Sequence, residues 1–424
     1  MNLRHLLKLL ALVALGLTTG SVSASGFRLA DQDAEATARG EAFVATADNA
    51  SAIYYNPAGI TQISSNSLRG GLYGIYLNPT FRPPPGQPNS GTTYSIDKKV
   101  AAVPSFFATH TLASIPLSFG VGLYAPYGGS MNWPDSTGFR SVATKGSLTY
   151  LRFNPVVAYQ VLPSLSIGAG LMVDYAHMDL EQGLRASSSP PNLFRFTGAG
   201  YSVGYNAGIR WQPLEQLSLG ATFRSLTPIN FAGNTDFEQL SAVHASQRNA
   251  SMSLTFPMTA VVGASYRPST NWNLEVDADY TDWKSFGQTR ILQQTPVPYP
   301  LKPNGQIPVT LNWQESWMYE FGVTRSFGNG WHTSAGYVFS QNSVPNAYYT
   351  PLAADMDRHF FSVGTGYRGS RYSLDVTYQF GYGPAHTVKG STPASTPGQF
   401  AGQSADGTYN FISHAIMVSA GLRF

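Results

Sequence analysis

The chain is predicted to be all-β, a 14-stranded antiparallel transmembrane β-barrel with an N-terminal hatch in its lumen. Three observations predict this: strand-length stretches that alternate apolar with small or polar residues, links that are alternately short and long, and a composition poor in charge. The alternation is clearest from Tyr201 to Trp211, where odd positions are aromatic or aliphatic and even ones are Ser, Gly, Asn, Gly and Arg. Successive strand side chains point to opposite faces, so one face of this stretch is apolar and the other polar. Many such strands with the apolar face outward describe a barrel in lipid.

Composition narrows the setting. Aromatic residues make up 13% of the 424 residues and charged residues only 12%, the latter about half the usual share of soluble domains. No apolar run approaches the roughly 20 residues of a spanning helix. The one long apolar run, Leu6 to Leu17, follows Arg4 and precedes the small residues Val22-Ser23-Ala24. Residues 1–24 therefore read as a secretory signal peptide and are set apart from the fold. Two basic and no acidic side chains leave with it, lowering the formal charge from +3 to +1, so no nucleic-acid partner is expected. Cysteine is absent, which excludes disulfides and thiol chemistry. An exported chain that crosses lipid without helices points to a bacterial outer membrane, because only helices and closed barrels satisfy the backbone there.

Fourteen strands are expected to start near Ser67, Lys98, Pro116, Ser147, Leu165, Gly198, Gln216, Ala250, Asn271, Asn312, Trp331, Asp357, Arg371 and Tyr409. Links after even-numbered strands are short and built of turn residues, such as Pro163-Ser164, Gly328-Asn329-Gly330 and Gly369-Ser370. Links after odd-numbered strands are long and rich in Pro, Gly, Ser and Asn. Short periplasmic turns and long external loops fit a barrel with both ends in the periplasm. On the thirteenth strand Leu374, Val376, Tyr378, Phe380 and Tyr382 share one face, and Ser373, Asp375, Thr377 and Gln379 the other. The chain stops on an outward-phase Phe424.

Residues 25–66 do not alternate, and residues 67–424 are assigned to the barrel. Asp31 to Ala47 suits short helical turns, and Asn56-Pro57-Ala58-Gly59 is turn chemistry. Fourteen strands enclose more space than side chains fill, so this segment is expected inside as a plug. Glu275, Asp277 and Asp279 fall at i, i+2 and i+4 on one inward face of the ninth strand. They are expected to serve a structural ion-pair network with inward Arg210, Arg224, Arg267 and Arg368, or with Arg28 and Arg39 of the plug.

Several segments taken together resemble the FadL/TodX family of outer-membrane transporters for long-chain fatty acids and other hydrophobic compounds. They are Gly26-Phe27-Arg28-Leu29, Ala38 to Ala42, Ala47 to Ser51, Tyr55-Asn56-Pro57-Ala58-Gly59-Ile60-Thr61, Ala125-Pro126-Tyr127-Gly128, Asp279 to Phe286, Asn342 to Asn346 and Asp355 to Arg358. The resemblance implies uptake from outside into an apolar groove, then passage to a luminal pocket. Exit follows sideways through a gap at a kinked third strand, gated by the hatch. By that resemblance Gly26, Phe27, Asn56, Pro57 and Ala58 belong to the hatch or gate, and Gly120, Gly122 and Pro126 to the kink. The glycines read equally well as space for the hatch.

Apolar residues assigned to the external loops, Met131, Trp133 and Phe139 in the second and Leu184, Leu193, Phe194 and Phe196 in the third, are candidates for ligand capture, or else for loops folding over themselves or touching lipopolysaccharide. Lys145, Arg152 and Arg195 are candidate anchors for a carboxylate head group. Asp355, Asp357 and His359 cluster where the sixth long loop re-enters the barrel, where a structural role is expected over a metal or catalytic one. No convergent catalytic set is found, and neither enzyme activity, cofactor nor metal is expected. The expected cargo of this passive channel is a long-chain fatty acid, with aromatic or alkane hydrocarbons as the alternative; the other expected partners are outer-membrane lipid and lipopolysaccharide, and the barrel-assembly machinery, for a monomer. A general diffusion porin and an adhesin are the rival readings.

Overall fold

The computed structural model describes residues 27–64, 66–87, 89–97, 99–184, 193–238, 248–294, 305–392 and 403–424. The signal-peptide assignment and Gly26 lie outside the described residues. Fourteen antiparallel strands form the wall. They are β1 (Ser67–Leu77), β2 (Val100–Thr111), β3 (Leu117–Tyr124, resumed at Gly128–Asn132), β4 (Lys145–Leu162), β5 (Leu165–Gly183), β6 (Leu193–Leu214) and β7 (Leu217–Arg224 and Thr227–Glu238). The wall continues through β8 (Arg248–Phe256 and Thr259–Ser269), β9 (Trp272–Thr281 and Gln288–Gln293), β10 (Gln306–Thr310 and Ser316–Ser326) and β11 (Trp331–Ser340). It ends with β12 (Arg358–Arg368), β13 (Tyr372–Val388) and β14 (Gly407–Arg423). Each strand pairs with its sequence neighbours, and β14 closes on β1 from Ser67↔Arg423 to Leu77↔Ser413.

Side-chain alternation sets which face meets lipid. Tyr201 and Val203 are 74% and 64% exposed on the outside, whereas Asn206 and Arg210 of the same strand are buried inside. Leu374, Val376, Tyr378 and Tyr382 likewise face out while Asp375, Thr377 and Gln379 face in. Exposed apolar side chains on this scale would be a severe aggregation hazard in water.

Strand starts follow the sequence reading closely except at β6, which begins at Leu193 instead of Gly198, and at β10, which begins at Gln306 instead of Asn312. With 19 and 22 residues, β5 and β6 far exceed the roughly 10 that cross a bilayer. They stand above it as an external collar. This corrects the loop assignment of Phe194, Arg195 and Phe196, which are strand residues. Trp133 and Phe139, expected as exposed loop residues, are buried. They pack edge-to-face at 5.5 Å and Phe139 lies 4.7 Å from Phe81. The loops bury these rings against one another because extended sheet pieces above the membrane supply a second small core.

The third strand carries the one irregularity that matters most for the site. Pairing with β4 runs regularly to Tyr124↔Arg152 and resumes at Gly128↔Thr149. Three residues, Ala125-Pro126-Tyr127, therefore oppose two, Tyr150 and Leu151, which is a one-residue bulge. Pairing of β3 with β2 stops at Phe106↔Leu123. Among the described residues, Val100–Ser105 of β2 have β1 on one side and no β3 partner on the other. Backbone contact resumes where the Asp97 N–H donates to the Asn132 carbonyl at 3.0 Å. The wall thus has an opening bounded below and above. Gly120 and Gly122 lie outside the break. A Cβ at either would approach Ile53 at 2.8 or 3.0 Å, so these glycines make room for the lumen segment and do not form the kink.

Candidate functional site

Residues 27–64 pack within the wall as α1 (Ala34–Ala38), α2 (Ala52–Tyr55) and a 3-10 turn (Pro57–Gln62). Asp33 caps α1 by accepting from the Glu35 N–H, and Asn56 caps the 3-10 turn by accepting from the Ala58 N–H. The Asn56 amide nitrogen donates to the carbonyls of Val44 and Ile209 at 2.8 and 3.0 Å. A Cβ at Gly208 would collide with Asn56 and one at Gly168 with the Pro57–Ala58 backbone. The Asn-Pro-Ala signature is therefore seated directly on the wall backbone.

The carboxylate ladder of β9 holds this segment electrostatically. Asp277 accepts the N–H groups of Phe43 and Val44 at 2.8 and 2.9 Å. Glu275 accepts those of Ala45 and Thr46 at 2.7 and 3.1 Å, and pairs with Arg39 at 2.8 Å. Asp279 forms a bidentate pair with Arg28. Charge-assisted bonds of this kind are the strong ones in a buried setting. Arg210 donates to the Ala45 carbonyl at 3.0 Å, Arg224 to that of Tyr54, and Arg69 pairs with Asp33 and Asp375. Most of the inward charges foreseen in the sequence attach the lumen segment to the wall.

At the periplasmic end Arg368 donates to both oxygens of Glu35 at 2.6 and 2.7 Å, and to Asp48 at 3.1 Å. Burial pushes the Glu35 carboxyl up, but Arg368, His332 and Arg69 outweigh it and leave it well below the usual carboxylate range. A depressed folded pKa stabilises above the unfolded value, about 4.3, and that contribution is lost as pH falls through the folded value. We expect Glu35→Gln to lower stability by about 1–3 kcal/mol at pH 7. The difference from the parent protein should shrink below about pH 4. Thermal unfolding in detergent from pH 3 to 8 checks this, and a gap independent of pH would show that the charge is not what holds. Glu35, His332 and Asp375 approach within 4.8 Å of one another. Arg368 and Arg69 already occupy both carboxylates, so a metal cation there would meet two guanidinium charges.

Above the lumen segment lies an apolar groove of about 300 Å³, lined among others by Phe27, Met178, Phe194, Phe286, Ile291 and Trp313. From its floor a column of rings descends. Phe27 stacks on Trp313 at 5.5 Å, Trp313 meets Trp283 at 5.2 Å, and Trp283 reaches Tyr127 at 6.2 Å. Phe256 and Phe286 flank it. The column joins the groove to the bulge in β3. There the Leu29 N–H donates to the Pro126 carbonyl at 2.9 Å and the Gly128 N–H to the Phe27 carbonyl at 2.8 Å. Residues 27–29 thus lie against the break as a stand-in for the missing strand. The part played by Trp283 and Trp313 was not legible in the sequence. Trp283 lies in a quoted resemblance segment, but only the fold shows which rings meet.

The candidate site residues scatter accordingly. Phe27 and Phe194 line the groove, whereas Trp133, Phe139 and Phe196 belong to the buried core beside it. Lys145 and Arg195 both pair with Asp179, and Arg152 pairs with buried Asp174. None of these three cations lines the groove. Asp355 accepts from Ser343, Asp357 from the Asn342 N–H, and His359 meets the Tyr337 hydroxyl. Three side chains with three separate partners form no common site. Gly200-Tyr201-Ser202-Val203-Gly204 matches the Gly-x-Ser-x-Gly pattern, but it is uninterrupted strand paired to β5, without the sharp turn a nucleophile needs.

A closed antiparallel barrel with an apolar belt, a filled lumen and an external groove defines an outer-membrane transport protein. Comparison with known proteins identifies which kind. A sequence model of the family described as outer membrane protein transport protein (OMPP1/FadL/TodX) matches residues 15–424, and the chain belongs to that family. The long-chain fatty acid transport protein of Escherichia coli K12 is 23% identical over 419 residues, covering 88% of this chain and 91% of that one. A Pseudomonas aeruginosa FadL homologue superimposes with a TM-score of 0.81 at 18% identity, covering 94% of this chain and all of the other. The Pseudomonas putida toluene transporter TodX gives 0.68 at 16% identity, covering 95% and 100%. The protein is placed in the bacterial outer membrane.

Proposed function

We propose that this protein admits hydrophobic small molecules from outside the cell through the apolar groove and releases them sideways through the opening between β2 and β3. The observation that carries this reading is the bulge at Ala125-Pro126-Tyr127, which ends the β2–β3 ladder where the ring column arrives. Apolar burial is worth about 0.8 kcal/mol per methylene, so an exit through the periplasm would forfeit most of what binding gained. Leaving through the wall keeps the cargo in apolar surroundings throughout.

We further propose neutral cargo. Among the described residues, Glu181 is the sole charged side chain lining the groove, and the three candidate anchors are ion-paired elsewhere. A carboxylate head would meet like charge there. A second reading, a fatty acid held as its anion, is favoured by the relatives named as long-chain fatty acid transport proteins. Isothermal titration of the purified protein with oleate, methyl oleate and toluene separates the two. Neutral cargo predicts that methyl oleate binds at least as tightly as oleate. Oleate binding tenfold tighter, about 1.4 kcal/mol, would favour the anion. No binding of any of the three would return the porin and adhesin readings.

A further inference from the structure

Among the described residues, Gln32 bonds to both edges of the opening between β2 and β3. The Gln32 carbonyl accepts from the Ser105 hydroxyl of β2 at 2.8 Å. The Gln32 amide nitrogen donates to the Ala125 carbonyl in the bulge of β3 at 3.0 Å, and to the Leu29 carbonyl at 3.0 Å. Its backbone N–H donates to the Tyr55 hydroxyl at 3.2 Å, which in turn donates to Glu41 at 2.7 Å. Gln32 thus touches both edges of the opening, the strap that lies along the break, and the body of the hatch. It is 1% exposed.

Its remaining polar atom, the amide oxygen, is buried without a partner. An unsatisfied buried acceptor is costly, so the closed arrangement holds its place at an energetic disadvantage. We propose that Gln32 is the bolt of the lateral opening: its side chain pins residues 27–32 across the gap between β2 and β3, and its release sets the rate at which cargo leaves. This rests on the lateral-exit reading above. Gln32 is a positioning residue and is not among the groove-lining residues.

The test is Gln32→Leu, which keeps the backbone carbonyl for Ser105 and removes only the amide. Cells with an intact lipopolysaccharide outer membrane, expressing the full chain, are assayed for uptake of labelled toluene and oleate. The bolt predicts uptake faster by about three- to tenfold, the span one net hydrogen bond carries, with groove affinity unchanged. Amide exchange at Leu29, whose N–H bonds to Pro126, should quicken by a similar factor. Exchange at Phe43 to Thr46, held by Glu275 and Asp277, should not change. Ser105→Ala is the second variant, since it leaves the hatch sequence untouched, and it should shift both readouts in the same direction. If the parent protein takes up neither probe, the transport reading fails. If it does, but both variants keep its uptake rate and Leu29 exchange, the bolt is wrong. Should Gln32→Leu fail to fold, Ser105→Ala alone decides by the same criterion.

Discussion

Deleting Pro126 alone is expected to abolish uptake while leaving groove binding intact. The register on either side of the bulge differs by one residue, so removing one from Ala125-Pro126-Tyr127 makes the pairing with β4 continuous. A continuous β3 offers β2 a straight partner along Val100–Ser105, where it has none among the described residues. Tyr127 keeps its inward phase, so the ring column is preserved. Uptake of labelled probe should fall at least tenfold, equivalent to about 1.4 kcal/mol on the barrier to exit. Affinity measured by titration should stay within about twofold of the parent, less than 0.5 kcal/mol. Unimpaired uptake by a correctly folded deletion would rule out exit at this point.

The second large effect is expected from removing the ladder that fastens the hatch. Replacing Glu275 and Asp277 by alanine strips acceptors from four consecutive N–H groups, Phe43 to Thr46, and leaves Arg39 without its carboxylate. Orphaning one member of a buried ion pair destabilises by about 3–5 kcal/mol. Each unsatisfied N–H adds about 1–3 kcal/mol until water enters. The outcome should be a lumen segment that leaves its seat. Planar-bilayer recording should then show large, frequent openings absent from the parent protein, and cells should become sensitive to large polar antibiotics. A variant as electrically tight as the parent would mean that Asn56, Arg368 and the wall glycines hold the plug unaided.

The strands could be read so nearly because period-2 patterning survives in every one of them and the turns carry Pro, Gly, Ser and Asn. The carboxylate ladder was equally visible, since residues two apart on a strand share a face whatever surrounds them. Arg28 and Arg39 were among the candidate partners, but the backbone partners were not visible, because nothing local to β9 says that the N–H groups of residues 43–46 will lie opposite. The bulge shows the same limit. Pro126 signals an irregularity, but one extra residue is a property of two strands and appears only when β3 is paired with β4. Gly120 and Gly122 read equally as kink or as space for the hatch, and the structure selects the second, because Ile53 occupies that space. The loop aromatics were legible as ligand capture or as loops folding over themselves, and the second holds for Trp133 and Phe139, which are covered by pieces distant in sequence that no local pattern could name.

One consequence follows from where the attachments of residues 27–64 fall. Glu35, Asp48, Asn56 and the N–H groups of Phe43 to Thr46 fasten residues 35–56 to β6, β9 and β12, all from within a single hydrogen-bonded ring of sheet. Residues 27–32 are fastened around the break, and away from it by Arg28 to Asp279 and Thr281 and by the Gln379 amide donating to Asp31. The plug is therefore as much the core of the barrel as its stopper, and wall and plug should melt as one cooperative unit. On the lateral-exit reading proposed above, the motion that releases cargo is expected to be confined to the six-residue strap, so that the wall opens to lipid while the lumen stays closed to ions.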